Sequence, residues 1–333
     1  MATYCIGIDL GGTAIKVGLL DDNQTPTDTI ELPTPTEGAD AVIDAMVRGA
    51  RRAMSDAGVS PADVLGVGIG SPGPLSITEG TIHALPNIPG MDGCRLRDRV
   101  AAGIELPAVL ENDANAAAYG EYLVGAGQAS ANMVMLTLGT GVGSGIIIDG
   151  RIVHGSHEIG GELGHMIVDP GGQRCGCGQA GCLEQYASAT YIARYAEETL
   201  GRTQRGSSLA EVFAANGELT TKDINEHRKA GDDFAAEVWD RGLYYLAVGC
   251  VSICRVFDPD QIVLAGGLVN AGEDLMFPLR EHFAREHWTL TEPRTELSIA
   301  SLGSDAGMIG AAGVAWSAFG PEANGTIPTS NDA

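Results

Sequence analysis

The sequence predicts an α/β fold built from two related halves. Near residue 4, and again near residue 132, an apolar strand-like run enters a glycine-rich turn and is followed by a second strand. After each opening, short apolar runs alternate with segments whose apolar residues recur at helical spacing. That alternation belongs to sheets with helices laid on them.

Taken in order, Tyr4–Asp9 and Ala14–Leu20 flank the turn Gly11-Gly12-Thr13, and a third strand lies near Thr29–Leu32. From Ala39 to Ala57 the residues Val42, Ile43, Met46, Val47, Ala50 and Met54 form one helical stripe. Val64–Ile69 and Ala108–Leu110 read as strands, and Ala114–Leu123 as a helix. The second half opens with the strand Asn132–Leu138, the turn Gly139-Thr140-Gly141-Val142-Gly143 and the strand Ile146–Asp149. A long helix spans Asp233–Val256. The strand Gln261–Leu264 runs into Ala265-Gly266-Gly267, with a helix after Gly272, a strand near Leu297–Ala300 and a last helix over Ala306–Ala318. The tail after Gly320, rich in Asn, Pro, Thr and Ser, reads as frayed. The boundary between halves falls near Gly125–Ala131, giving domains of residues 1–124 and 125–305.

Composition narrows the function. The chain has 333 residues, 44% of them apolar, and a formal net charge of -23. So acidic a chain is a poor partner for nucleic acid or an anionic membrane. A phosphorylated substrate stays compatible, because a few local donors decide that. The start shows neither a basic n-region nor a cleavage site, and no apolar run approaches a membrane span. The seven cysteines do not form a secreted disulfide framework, and Cys250 and Cys254, four apart in an apolar helix, read as small packing residues. Together these features describe a cytoplasmic protein.

Three motifs carry chemistry. The turns at Gly11–Thr13 and Gly139–Gly143 let backbone N–H groups approach phosphate oxygens, and Thr13 and Thr140 add hydroxyl donors. Either turn alone is equally a plain hairpin, but two in corresponding positions suit a polyphosphate gripped from both sides. Asp9, at the end of its strand, is placed to hold Mg²⁺ directly or through water. No Walker lysine is present, and the glycine patterns at Gly68-x-Gly70-x-x-Gly73 and Gly176-x-Gly178-x-x-Gly181 are chance matches to a dinucleotide fingerprint. Between strand and helix stands Glu111-Asn112-Asp113-Ala114-Asn115. A cap needs one such residue, so the surplus points to a site in which Asp113 accepts a proton and Asn112 orients the substrate.

The third motif is His165, Cys175, Cys177 and Cys182, one histidine and three thiols within eighteen residues. That is the complement of a closed tetrahedral zinc site, with Gly176, Gly178 and Gly181 allowing the tight turns and Glu162 and Glu184 on either side.

In this order, Asp9-x-Gly-Gly-Thr13, Glu111-Asn-Asp-Ala-Asn115, Gly139-Thr-Gly-Val-Gly143, Gly161-Glu-x-Gly-His165 and Cys175-x-Cys-Gly-x2-Gly-Cys-x-Glu184 resemble the ROK family of sugar kinases and repressors. The resemblance implies an actin-like ATPase (ribonuclease H-like) fold of two domains hinged over a cleft, with the last helix returning to the first domain. It implies Asp113 as the general base and Gly70, Gly73, Asn87, Asn112, Glu162, His165 and Glu184 around the sugar. It places Asp9, Gly11, Gly12, Thr13, Lys16, Gly139, Thr140, Gly141, Gly143, Gly266 and Gly267 on the nucleotide side. It makes the zinc structural, held by His165, Cys175, Cys177 and Cys182, alongside ATP and Mg²⁺ as cofactors.

Within that resemblance, the intact Glu-Asn-Asp-Ala-Asn segment and the loops Gly73-Pro74-Leu75 and Pro86–Gly90 favour phosphorylation of glucose. Kinases of N-acetylmannosamine or N-acetylglucosamine are the alternative. A sugar-responsive repressor requires a DNA-binding segment before Asp9, for which there is no room, and a chaperone-like ATPase has no use for the cysteine segment. The expected partners are a sugar, a nucleotide and a second copy in a homodimer, with neither nucleic acid nor membrane.

Overall fold

The computed structural model describes residues 3–321 except 86–87, 204–205, 289 and 292–293. The chain runs through β1 (Tyr4–Leu10), β2 (Ala14–Asp21), β3 (Ile30–Pro33), α1 (Ala39–Ala57), β4 (Val64–Ser71), β5 (Leu75–Ser76), β6 (Thr81–Ile82), α2 (Leu96–Ile104), β7 (Ala108–Asn112) and α3 (Asp113–Val124). It continues through β8 (Met133–Leu138), β9 (Val142–Ile148), β10 (Arg151–Ile152), α4 (Glu184–Ala187), α5 (Ala189–Arg202), α6 (Leu209–Asn216), α7 (Thr221–Lys229), α8 (Asp233–Phe257), β11 (Gln261–Ala265), α9 (Glu273–Glu286), β12 (Glu296–Ile299) and α10 (Ala306–Phe319). The described residues of Met1–Ala129, Gly150–Gly160 and Ser301–Ala333 cluster as one compact unit. Those of Ser130–Asp149 and Gly161–Ala300 form a second. The tail beyond residue 321 lies outside the described residues.

Each unit carries the same sheet plan. In the first the order is β3-β2-β1-β4-β7, with β1, β4 and β7 parallel and β2 antiparallel to β1. In the second, β9-β8-β11-β12 repeats it, with β8, β11 and β12 parallel and β9 antiparallel to β8. The duplication read from the two glycine turns is therefore a duplication of strand order. The carboxyl ends of the parallel strands are where such sheets place ligands.

Strand alternation explains how the first sheet is covered on both faces. Ile6, Ile8 and Leu10 of β1 and Val67 and Ile69 of β4 join Val42, Met46 and Ala50 of α1 in one buried core. The opposite face of β4 consists of Gly66, Gly68 and Gly70. A Cβ at Gly68 would strike the Ala311 carbonyl oxygen, and one at Gly7 on β1 would strike that of Met308. The absent side chains let α10 lie directly on the strands. The Gly68-x-Gly70 pattern is thus a packing stripe, consistent with its dismissal as a nucleotide fingerprint. The α10–α3 contact is equally close, since a Cβ at Gly310 would meet the Ala116 carbonyl oxygen.

Two local readings need correction. β9 begins at Val142, ahead of the Ile146 start expected, because Gly143 and Gly145 keep register opposite Thr137 and Met135. Pairing with a central strand outweighs the poor strand preference of glycine. α2 escapes the apolar periodicity because Arg97 occupies its inward face. That side chain is 2% exposed, pairs with Asp98 at 2.9 Å and donates to the Thr78 carbonyl at 3.1 Å. Cys250 and Cys254 are both buried in α8, as expected of packing residues.

Candidate functional site

In the first unit, register gathers the site. Asp9 pairs with Gly70 across β1–β4, and Gly70 with Glu111 across β4–β7, so the carboxyl ends of three parallel strands stand side by side. On the antiparallel side Asp9 pairs with Lys16. A Cβ at Gly70 would lie 3.8 Å from Asp9 Oδ1, and one at Gly73 would lie 3.8 Å from Asn112 Nδ2. At Gly70 such a Cβ would also press on the Ala116 methyl at 3.3 Å, so this glycine serves packing as well as the neighbouring carboxylate. The Gly11–Thr13 turn is braced by the Thr34 hydroxyl, which donates to the Gly11 carbonyl at 2.7 Å, while Gly12 and Thr13 are exposed. Lys16 Nζ donates to the Ser304 carbonyl at 2.8 Å and lies 3.9 Å from Asp305.

The β7–α3 corner sorts its four polar residues into two roles. Asn112 caps α3, its Oδ1 accepting from the N–H groups of Ala114 at 2.9 Å and Asn115 at 3.2 Å. The Asn112 amide nitrogen, not used by the cap, faces the Asp113 carboxylate. Asp113 opens the helix and accepts from the Ala114 N–H at 2.8 Å. Glu111, 1% exposed, turns inward: its Oε1 accepts from the Asn112 N–H and from Asn115 Nδ2, each at 2.9 Å. Glu111 and Asn115 are therefore supports of the corner.

The two aspartates are electrostatically strained. Burial raises the Asp113 carboxyl above the usual range, against the helix N–H donors and the Asn112 amide. Burial and then the Asp113 charge push Asp9 up to about 6, against the pull of Lys16. Two buried carboxylates with one lysine form a site short of positive charge, which suits a divalent cation. An acid whose folded pKa is raised costs stability above that pKa, and the cost disappears as pH falls toward the unfolded value. In metal-free protein, Asp9→Asn is thus expected to raise Tm at pH 7.5. The difference should close as pH is lowered from about 6 toward 4, and a thermal-denaturation series across that range checks it.

In the second unit, three turns converge at the ends of β8 and β11. The Gly139–Gly143 turn closes through a Gly139 N–H to Gly141 carbonyl bond of 3.0 Å, and its Gly139 carbonyl accepts from Ala189 N–H at 2.9 Å. Gly266 (φ +88°) abuts Leu138, the last residue of β8, where a Cβ would lie 2.6 Å from the carbonyl oxygen. Only glycine fits there. Gly267, next to it, has open space where a side chain would stand. Glu184 Oε2 accepts from the Val142 N–H at 3.1 Å and would contact a Cβ at Gly141. Its Oε1 lies 4.0 Å from Cys175 Sγ, so one carboxylate joins the glycine turn to the cysteine loop. Exposed Glu162 and half-buried His165 share a tight turn, which the Ser144 hydroxyl fastens by accepting from Leu163 N–H at 3.0 Å and donating to the Gly161 carbonyl.

His165, Cys175, Cys177 and Cys182 present donor atoms all within 4.8 Å of one another. His165 Nδ1 is 3.6 Å from Cys175 Sγ, and Cys177 Sγ is 3.7 Å from Cys182 Sγ. Those separations match the edges, roughly 3.8 Å, of a tetrahedron with metal–sulfur bonds of about 2.3 Å. The donor set fits zinc, and four protein ligands leave no open position for catalysis. Gly178 and Gly181 have positive φ, which turns the backbone back on itself, whereas Gly176 does not. The Gln179 side-chain and backbone N–H groups hold the exposed Cys177 thiol down at about 6.

Asn87 lies outside the described residues. Every other predicted residue of the first unit lies on this row of strand ends or the turn between β1 and β2; those of the second lie on the three turns and the zinc loop. Sequence reasoning passed over His154 and Glu158. His154 Nε2 donates to Glu111 Oε2 at 2.7 Å, and Glu158 accepts from the backbone N–H groups of Ile77 at 2.9 Å and Thr78 at 2.8 Å. A lone histidine whose partner is 43 positions away leaves no local pattern. No described helix is long and apolar enough to cross a membrane.

Comparison with known proteins supplies a family. Residues 5–317 match the model of the ROK family. A glucokinase of Halalkalibacterium halodurans is 40% identical over 310 residues, covering 92% of this chain and 93% of that one. The crystal structure of a ROK hexokinase from Thermus thermophilus superposes with a TM-score of 0.81 at 36% identity, over 94% of this chain and 97% of the other. That of a ROK glucokinase from Streptomyces griseus, in complex with glucose and AMPPNP, gives a TM-score of 0.73 at 34% identity, over 93% and 98%.

Proposed function

The chain belongs to the ROK family, and on that premise we propose that it transfers the γ-phosphoryl group of ATP to the 6-hydroxyl of glucose. The observation that carries this reading is the β7–α3 corner. There the Asp113 carboxyl is held at a helix start by a capped, internally braced turn, at the end of the strand row that also carries Asp9. Glucokinases among the similar proteins support glucose as the sugar.

In this mechanism Asp113 accepts the hydroxyl proton as the oxygen attacks phosphorus in line. Asn112, with its oxygen committed to the cap, offers its amide N–H to a sugar hydroxyl. Glu162, His165 and Glu184 supply the remaining sugar contacts, His165 through the ring nitrogen left over from zinc. The Gly11–Thr13 and Gly139–Gly143 turns present N–H and hydroxyl donors to the phosphates. Mg²⁺ at Asp9 would neutralise charge on the transferred group when bound. The reading includes a homodimer in the cytoplasm, without nucleic acid as partner, in keeping with the net charge of -23.

Steady-state ADP release with MgATP across glucose, mannose, fructose, N-acetylglucosamine and N-acetylmannosamine tests the proposal. The expected result is the highest kcat/KM for glucose. Preference for an N-acetylated sugar would reassign the substrate while keeping the base and the zinc site. Inactivity on all five would overturn the kinase reading.

A further inference from the structure

Glu111 is a nearly fully buried carboxylate two residues before the proposed base, and among the described residues His154 is its ion-pair partner. We propose that the His154–Glu111 pair is a positioning device for the phosphoryl transfer: a protonated His154 ion-pairs with the buried Glu111, and Glu111 holds Asn112 and Asp113 in working geometry. The inference rests on Asp113 being the base.

The geometry assigns each link. His154 Nε2 donates to Glu111 Oε2 at 2.7 Å, while the other oxygen accepts from Asn112 N–H and Asn115 Nδ2. Both oxygens are thereby committed, one to the histidine and one to the corner. An ionised carboxylate accepts these bonds about twice as strongly as a neutral group would. Without the imidazolium that carboxylate would be buried with no cation paired to it, a costly arrangement that loosens its hold on the corner. The segment that carries His154 is itself fastened, through Glu158 to the backbone of Ile77 and Thr78 and through the Gly160 N–H to the His154 carbonyl at 2.8 Å. The imidazole therefore reaches Glu111 from an anchored backbone.

The charged groups acting on His154 are Glu111, from β7, and Glu158, from its own segment. Burial presses the imidazole toward neutrality, but the bond to Glu111 and the charges of both glutamates outweigh it and hold the pKa above the ordinary histidine value. Activity should then fall as pH rises through that pKa and the imidazolium is lost. The low-pH limb belongs to Asp113 and the high-pH limb to His154, giving a bell-shaped profile.

The test is the pH profile of kcat for the full-length wild type, H154Q and E111Q with glucose and MgATP. Small displacements of reacting groups cost up to about 10²-fold, so H154Q should lower the plateau kcat by about 10- to 100-fold. It should also lose the high-pH limb and keep the low-pH one. E111Q, which removes the carboxylate that His154 pairs with, should lose the same limb, and it carries the test should H154Q fail to fold. A high-pH limb retained in either folded variant, or wild-type kcat in H154Q, would overturn the proposal. Full activity of D113N would instead remove the base reading, an outcome told apart because it concerns the low-pH limb.

Discussion

Asp113→Asn should lower kcat by about 10²- to 10⁴-fold while glucose and ATP still bind with nearly native affinity. The asparagine keeps the shape and the hydrogen bond from Ala114 N–H, so the corner has no reason to rearrange. What it loses is the lone pair that takes the proton. Because burial raises the Asp113 pKa, wild-type kcat should also decline toward acid pH as the carboxyl becomes protonated, and the residual activity of the variant should be flat there. Rapid-quench or steady-state kinetics combined with calorimetric sugar binding separates the two quantities. Near-native turnover in Asp113→Asn would remove the residue from the role.

Cys177→Ser is the second large effect, and it isolates the metal from packing. Cys177 is exposed, whereas Cys175 and Cys182 are buried, so serine at 177 removes a ligand without opening a cavity. The expected result is loss of about one zinc per chain, a lower Tm and a fall in activity of about 10- to 100-fold, carried mainly by a higher KM for sugar. The route is legible in the contacts. Cys175 faces both His165 and Glu184, and Glu184 in turn holds Val142 of the glycine turn, so releasing the loop frees two proposed sugar contacts together. Metal analysis by mass spectrometry with parallel kinetics checks it. A fully active, zinc-free Cys177→Ser protein would sink the bracing role.

Much of this was readable in the sequence because it is local. Hairpins with a glycine turn, a strand that ends in Asn-Asp at a helix start, and a closely spaced His-Cys-Cys-Cys set are written in neighbouring letters. The remainder depends on distance along the chain. Glu111 looks like one more polar residue of its corner until His154 arrives from 43 positions away. Gly68 imitates part of a nucleotide loop until α10, more than two hundred residues later, is seen lying against the strand. Arg97 hides α2 because a buried charge interrupts the apolar rhythm by which helices are recognised.

The seating of α10 on β1 and β4 also sets an order of events during synthesis. The strands that α10 covers leave the ribosome more than two hundred residues ahead of their cover. Until it arrives, Gly7 and Gly68 on one face of that sheet lack their cover, and half-made chains expose the kind of surface that associates wrongly. A nascent chain stalled before residue 306 would therefore be a client for holding chaperones.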